Sequence, residues 1–270
     1  MEDNRRSMLL AEIHGKYLAD AQGLEDYLTS SVFGHLRYVP PSFFWKDFLR
    51  RCRSLPHEGV ELTSYDYLRE LTGLGIERYE SLRVVFWPTH PKGQPDLLLV
   101  FTGLGLRSVV VCVEAKLSSG KSGVEERDQL ARYLQACDSL AYMQPHVPAD
   151  AVSVVVYLTT HDSRGELLES LSVYGESTSA RSRLYRLEWQ DVLSAADESQ
   201  SAEKEINLEI LRDVASFLRV RDLIHFAGMT KPVDCSACDG RLFVLESLLS
   251  PVDVPSGLEN IRGGWIHERG

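Results

Sequence analysis

The sequence predicts an α/β fold with a mixed central sheet flanked by helices. Two short runs, residues 97–101 and 109–113, are apolar at every position, which is expected of strands covered by helices on both faces. Segments with helical periodicity precede and follow these runs. The predicted order of a helix, three strands, a helix and a fourth strand is that of an α/β core.

Each element has its own signal in the sequence. The first helix is predicted at 24–39, where apolar residues recur one turn apart and two prolines follow. The recurring residues are Leu24, Leu28, Val32, Phe33 and Leu36. Comparable periodicity predicts helices at 43–52, 125–143 and 203–226. Apolar runs predict strands at 82–87, 96–101, 108–116, 152–159 and 184–187.

The C-terminal third is expected to form a helical appendage to the core. We predict a core at 1–190 and a mainly helical extension at 191–270, with the Ser-, Ala- and acid-rich stretch 191–202 as the link between them. From Leu187 onwards there are eight Lys and Arg against fifteen Asp and Glu, a balance of −7 that repels DNA. We therefore expect this extension to bind a protein partner or a second copy of the chain.

Composition limits the class of protein. The formal net charge of −10 excludes a surface coated for nucleic-acid binding, because affinity for phosphate depends on clustered Lys and Arg. No apolar run approaches the roughly 20 residues that cross a bilayer, and the N-terminal residues do not resemble a signal peptide. Five cysteines, an odd number, favour free thiols over a disulfide framework. A cytoplasmic protein without membrane contact is expected.

Three charged residues stand at the ends of predicted strands. Asp96 opens the second strand, and Glu114 and Lys116 end the third, 18 and 20 residues later. Because side chains alternate along a strand, Glu114 and Lys116 share a face, and the neighbouring strand can place Asp96 beside them. Two carboxylates suit Mg²⁺, and a lysine can orient water or stabilise charge on a phosphate. This pattern predicts a site for phosphodiester hydrolysis.

Each of these residues also has an ordinary interpretation. An Asp before an apolar strand is commonly a turn residue, and a Glu-X-Lys sequence is commonly a solvated strand end. Together, however, they would place several charges at the ends of strands buried on both faces. Charge is costly there unless it is paired or bound to metal, so the combination favours a metal site.

The residues Pro95-Asp96 and Glu114-Ala115-Lys116 resemble the signature of the PD-(D/E)XK nuclease superfamily. Gln129 and Tyr133, four residues apart on the following helix, resemble the Q-x-x-x-Y element of its RecB-like branch. The resemblance implies a restriction-endonuclease-like core, a catalytic set of Asp96, Glu114, Lys116, Gln129 and Tyr133, and Mg²⁺ as cofactor, with Mn²⁺ able to substitute.

The family also usually has an acidic residue on an N-terminal helix. Glu25 is the candidate for this further metal ligand beside Asp96 and Glu114, and Glu12 is a rival. The alternative for Glu25 is that it complements the positive end of its helix.

Basic residues among aromatic ones suggest where DNA would bind. Arg37, Lys46, Arg50 and Arg51 are interleaved with Tyr38, Phe43, Phe44, Trp45 and Phe48, a mixture that could contact phosphates and stack on bases. Lys121, in the polar loop 118–123, is a further candidate contact. The alternative is that the aromatic residues belong to the core and the basic ones are simply solvated.

The function predicted from these observations is a Mg²⁺-dependent DNA nuclease. An endonuclease of restriction or antiviral phage defence, or a DNA-repair nuclease, would fit the resemblance. The alternative is a partner-dependent or non-catalytic subunit that uses the same fold to bind a protein or nucleic acid. RNA as substrate is a third option with the same metal chemistry.

Overall fold

The chain forms an α/β structure around a six-stranded mixed sheet. The computed structural model describes residues 21–89, 91–117, 119–123, 127–137, 147, 151–175, 177–200 and 205–225. Within these ranges, none of the helices has both the length and the apolar character needed to cross a membrane. The predicted α/β class, with helices flanking a mixed sheet, is confirmed.

Helices and strands are numbered along the described residues. The helices are α1 (Ala21–Leu36), α2 (Trp45–Arg51), α3 (Ser64–Thr72), α4 (Gln129–Cys137), α5 (Arg164–Tyr174), α6 (Thr178–Arg181), α7 (Trp189–Ser199) and α8 (Glu205–Val220). The strands are β1 (Arg53–Ser54), β2 (Ser81–Phe86), β3 (Leu97–Thr102), β4 (Val109–Ala115), β5 (Val152–Thr159) and β6 (Leu184–Glu188).

The sheet has the strand order β1-β6-β5-β4-β3-β2. Strands β2, β3 and β4 form an antiparallel meander, whereas β5 and β6 run parallel to β4. The short β1 closes one edge by pairing antiparallel to β6. As a result, one end of the sheet contains the carboxyl ends of β4, β5 and β6 together with the amino end of β3.

Both faces of the central strands are covered, which explains their uninterrupted apolar sequence. In β4, Val111 and Val113 point into a cluster that also contains Phe33 of α1. The intervening Val110 and Cys112 point into a second cluster with residues of α4 and α5. Burial on both faces leaves no position where a polar residue can reach water until the strand ends.

The structure corrects the interpretation of residues 191–202, which were predicted to form a link. Most of it belongs to α7, which begins with a capping box between Glu188 and Asp191. The buried face of α7 includes Val192, Ala195 and Ala196, small residues that allow the helix to pack closely on α2 and α8. A composition rich in Ala and Ser therefore encoded a packed helix rather than a linker.

Helix α8 packs on the core as well. Its residues Leu211, Val214 and Leu218 are buried in the same cluster as Phe33 of α1. The described part of the predicted extension thus contributes to the central core, while the position of a domain boundary stays a prediction. Residues 226–270 lie outside the described part of the chain.

Candidate active site

The site forms where β3 begins and β4 ends. Leu97 pairs with Val113 in the antiparallel ladder, which sets Asp96 opposite Glu114. The Oδ2 atom of Asp96 accepts a hydrogen bond from the backbone N–H of Ala115 at 2.7 Å. Both carboxylates are nearly enclosed, with 8% of Asp96 and 1% of Glu114 exposed. The structure therefore brings the two predicted carboxylates together.

Lys116 lies in the same cluster. Its Nζ atom is 2.6 Å from Oε1 of Glu114 and donates to Oε1 of Glu25 at 3.0 Å. The backbone of Lys116 is fixed on both sides, because its N–H donates to the carbonyl of Leu158 at 2.7 Å and its carbonyl accepts from Nε1 of Trp189 at 3.1 Å. The ammonium is thus held between two carboxylates by a rigid strand end.

Glu25 reaches this cluster from α1. It is the fifth residue of that helix, beyond the first turn, so it does not serve as the complement to the helix end that was its alternative role. Its Oε2 atom accepts from the backbone N–H of Leu117 at 2.9 Å and from the Ser119 hydroxyl at 3.2 Å. These contacts suit a residue that orients Lys116, and metal binding by Glu25 stays a prediction. Glu12 lies outside the described residues.

Gln129 and Tyr133 join the site from α4. The Gln129 side-chain amide donates to Oε1 of Glu114 at 2.8 Å and to the Tyr133 hydroxyl at 2.9 Å. Tyr133 in turn packs against Gly93, in the loop before Asp96, where a Cβ atom would lie 3.0 Å from the ring. The two residues predicted from the Q-x-x-x-Y pattern therefore contact strand β4 and the loop that leads into β3.

Burial sets the electrostatics of the cluster. It raises the pKa of Asp96 well above the usual range, and the neighbouring charge of Glu114 raises it further. Burial also raises the pKa of Glu114, although Lys116 opposes this effect. For Lys116 burial lowers the pKa, but the carboxylates of Glu114, Asp96 and Glu25 outweigh it, so the pKa is raised. Three carboxylates share one ammonium, which leaves excess negative charge when all are ionised.

One oxygen of Glu114 has no hydrogen-bond partner among the residues that the structure describes. This buried atom is Oε2. A buried, unpartnered carboxylate oxygen is costly, and oxygen ligands of this kind suit a hard divalent cation. Across the described ranges no set of three or more His, Cys, Asp and Glu side chains forms a metal-binding group. The strand pairing sets Asp96 across from Glu114, and metal binding by these two carboxylates stays a prediction.

The aromatic residues of the predicted DNA-binding segment have another role. Phe44, Trp45 and Phe48 are fully buried and pack edge to face with one another or with Phe33. The prediction that bases stack on these three rings was wrong, because the rings are part of the hydrophobic core.

The basic residues of this segment contact aromatic rings or acidic side chains of the chain itself. Arg37 lies over the ring of exposed Tyr38, and Arg50 lies over Tyr65, 5.0 Å from its ring centre. Lys46 approaches the same Tyr65 ring at 6.0 Å. Arg51 is paired with Glu198 and lies 3.7 Å from Asp191, both on α7. Contact of these residues with nucleic acid stays a prediction.

Two residues that the sequence interpretation missed support the site. Trp189, at the start of α7, holds the carbonyl of Lys116 as described above, and no local pattern signals that role. Asp128 caps α4, because its Oδ1 atom accepts from the N–H of Ala131 at 2.9 Å. An Asp immediately before Gln129 is a helix-start pattern and could have been recognised.

The three cysteines within the described ranges, Cys52, Cys112 and Cys137, are free and buried, as predicted.

No model of a known protein family matches the chain, and neither the curated proteins nor the solved structures yield a match.

Proposed function

We propose that this chain is a metal-dependent nuclease that hydrolyses DNA phosphodiester bonds at Asp96, Glu114 and Lys116. The proposal rests on the buried Oε2 atom of Glu114, which has no hydrogen-bond partner among the described residues. Asp96 lies across from Glu114, and the Lys116 ammonium lies 2.6 Å from the other oxygen, Oε1. A carboxylate pair with an adjacent lysine has the donors that phosphodiester hydrolysis requires.

The roles of the residues follow from their contacts. Asp96 and Glu114 would hold Mg²⁺, or Mn²⁺ in its place, which when bound polarises the phosphoryl group and lowers the pKa of water. Lys116 donates hydrogen bonds to the attacking water or to a phosphate oxygen. Glu25 and Gln129 keep Lys116 and Glu114 in place. Hydrolysis adds the water oxygen to phosphorus and breaks the bond to the leaving sugar oxygen, which takes up a proton.

The arrangement of strands supports a restriction-endonuclease-like core as part of this proposal. An antiparallel meander, β2 to β4, is followed by α4 and by β5, which runs parallel to β4. This order matches the order predicted from the sequence, and it sets the start of β3 beside the end of β4. A role in phage defence, restriction or DNA repair extends the proposal from the sequence resemblance alone.

A cleavage assay tests the proposal. The full chain is incubated with linear, circular and single-stranded DNA and with RNA, in Mg²⁺ or Mn²⁺ and in EDTA. We expect metal-dependent cleavage of DNA that falls at least about 100-fold in Asp96→Asn and Lys116→Met. Arg78→Met, an exposed cation on the short 3₁₀ turn Ile76–Arg78, is the control and retains activity. Cleavage that survives both site substitutions would contradict the assignment of the site.

A partner-dependent or non-catalytic subunit is the second candidate. Its support is the net charge of −10, which opposes unaided binding to a nucleic-acid backbone. The acidic C-terminal third would then bind a protein that delivers DNA or that carries out the catalytic step itself. Wild-type protein that binds Mn²⁺ but cleaves none of the substrates alone would favour this candidate.

A further inference from the structure

A second polar cluster joins the loop after β4 to helices α4 and α5. Its centre is Lys121, whose side chain is only 7% exposed. The ammonium is paired with Asp128, donates to the Ser170 hydroxyl at 3.1 Å and lies 3.2 Å from Glu169. The backbone N–H of Lys121 donates to Glu166 at 3.0 Å. We call Lys121, Asp128, Glu166 and Ser170 the lysine clasp.

The lysine clasp is connected to the site through the start of α4. Asp128 uses one carboxylate oxygen to cap the helix and the other to accept from Lys121 and, at 3.0 Å, from Ser170. The next residue, Gln129, is bound to Ser122 twice, since each backbone N–H donates to an oxygen of the other residue at 3.2 Å. These bonds fix the side chain whose amide donates to Glu114.

The burial of Lys121 argues against a direct contact with DNA. Its ammonium is surrounded by two carboxylates and a hydroxyl, one partner for each of its three N–H donors, so reaching a phosphate would break a buried ion pair. Such a pair adds little net stability, because the desolvation of both ions offsets their attraction, but removing one partner is strongly unfavourable. A buried pair of this kind fixes the position of the elements that carry it.

We propose that Lys121 is a positioning residue, which acts through Asp128 and Gln129 to hold the Glu114 carboxylate for metal binding. This inference rests on the proposed function and assigns to Lys121 a role different from the nucleic-acid contact expected from the sequence. Gln129, through which Lys121 acts, bonds the proposed ligand Glu114 directly, and loss of such a bond commonly weakens metal binding by 10- to 100-fold.

The test compares Lys121→Met, Lys121→Arg and Asp128→Asn with wild type and with Arg78→Met. Mn²⁺ affinity is measured by titration calorimetry without DNA, and the dissociation constant for a DNA oligonucleotide is measured in Ca²⁺ at several salt concentrations. Hydrogen–deuterium exchange is followed in peptides covering 119–123 and 129–133. The double variant Lys121→Met/Gln129→Ala is compared with each single variant for Mn²⁺ affinity.

We expect Lys121→Met and Asp128→Asn to weaken Mn²⁺ binding about tenfold or more and to exchange faster in both segments. Lys121→Arg restores part of the affinity, DNA binding changes less than about twofold, and the double variant loses little more than Gln129→Ala alone. The inference is overturned if Lys121→Met leaves Mn²⁺ binding and exchange unchanged, or if its main effect is weaker DNA binding with a salt slope reduced by about one.

The two proposals fail differently in this experiment. Wild-type protein that binds no Mn²⁺ contradicts the proposed function, and the exchange comparison then still decides whether the lysine clasp fixes Gln129. Wild-type protein that binds Mn²⁺ with an affinity equal to that of Lys121→Met contradicts only the role given to Lys121. Asp128→Asn keeps the helix cap, so it provides the comparison if Lys121→Met does not fold.

Discussion

The side-chain amide of Gln129 donates to Oε1 of Glu114 at 2.8 Å, across the boundary between helix α4 and strand β4. The same oxygen lies 2.6 Å from the Lys116 ammonium, whereas the other carboxylate oxygen has no hydrogen-bond partner within the described ranges. Gln129 and Lys116 therefore fix Glu114 by one oxygen and leave the second one oriented for a cation. This division of the two oxygens is the basis of the predictions below.

Gln129→Ala removes the donor that holds Glu114. We expect Mn²⁺ affinity and the cleavage rate each to fall about 10- to 100-fold, because outer-shell hydrogen bonds orient metal ligands. Titration calorimetry and single-turnover cleavage measure the two effects. Gln135→Ala, on the exposed face of the same helix, is the matched control. Equal metal affinity in Gln129→Ala and the control would show that Glu114 does not need this bond.

Asp96→Asn should stabilise the fold while it abolishes cleavage. The pKa of Asp96 is raised in the folded protein, mainly by burial, so its ionised form is less favourable there than in the unfolded chain. This destabilisation is absent at a pH below the pKa of Asp96 in the unfolded chain. It grows as the pH rises from that pKa towards the raised pKa of the folded protein. We expect Asn to raise stability at pH 7 by about 1 kcal/mol, or roughly 2–4 °C in Tm.

Thermal unfolding of wild type and Asp96→Asn at pH 7 and near pH 4 measures this effect. The difference should be largest at pH 7 and shrink towards acid, where the native carboxyl is protonated. Both proteins are measured without divalent metal, because metal binding would stabilise wild type selectively. A variant less stable than wild type at pH 7 would contradict the electrostatic strain assigned to Asp96.

Lys116→Met separates metal binding from chemistry. Without the ammonium, Glu114 and Glu25 lose their common cation, so the metal-free variant should be destabilised by about 3 kcal/mol. Mn²⁺ should bind at least as tightly as to wild type, because the positive charge that repels the ion is gone while Gln129 still holds Oε1 of Glu114. Calorimetry with a parallel cleavage assay tests this combination. Loss of metal binding together with cleavage would mean that Lys116 organises the ligands rather than the reaction.

Gly93→Ala should disturb the loop that leads to Asp96. Gly93 has a φ of +143°, and a Cβ there would lie 3.0 Å from the ring of Tyr133. We expect a loss of about 1–3 kcal/mol in unfolding free energy and slower cleavage, measured by denaturant titration and by rate. Gly165→Ala, in helix α5 with nothing within 4 Å of the added atom, should instead be neutral or stabilising. Equal effects of the two substitutions would contradict the role of the Gly93–Tyr133 contact.

The sequence identified the central strands and the charged cluster for related reasons. Strand β5 occupies the predicted residues, Val152–Thr159, because burial on both faces gives an uninterrupted apolar run. Asp96 and Glu114 interrupt such runs at the strand ends, where their position across the ladder follows from strand pairing alone. Local sequence patterns are sufficient where a regular strand determines which residues surround a side chain.

Helices α3, α5 and α7 were not identified because small or polar residues form part of the face that each of them buries. Helix α5 buries only Leu167, Ser170 and Leu171, and the buried face of α7 includes alanines. For α3 the ends gave a better signal than the interior: Thr63 caps its first turn and Gly73, in a left-handed conformation, ends it. Capping residues identify a short helix when hydrophobic periodicity cannot.

The burial of Lys121 could not be predicted for a different reason. A lysine in a Ser- and Gly-rich loop is usually solvated, and its spacing from Lys116 gives no reason to expect burial. Its partners Ser170 and Glu169 belong to α5, about 50 residues away in the chain. Whether a charge is paired depends on tertiary contacts that no local pattern contains, so exposure of loop lysines cannot be predicted from sequence spacing.

Anomalous scattering from crystals grown with Mn²⁺ shows whether Asp96 and Glu114 bind a metal ion. We expect one strong peak in contact with the carboxylates of Asp96 and Glu114, on the side of the Oε2 atom of Glu114, and its loss in crystals of Asp96→Asn. Crystals with no peak at these carboxylates at saturating Mn²⁺, or with the same peak in Asp96→Asn, would contradict this expectation.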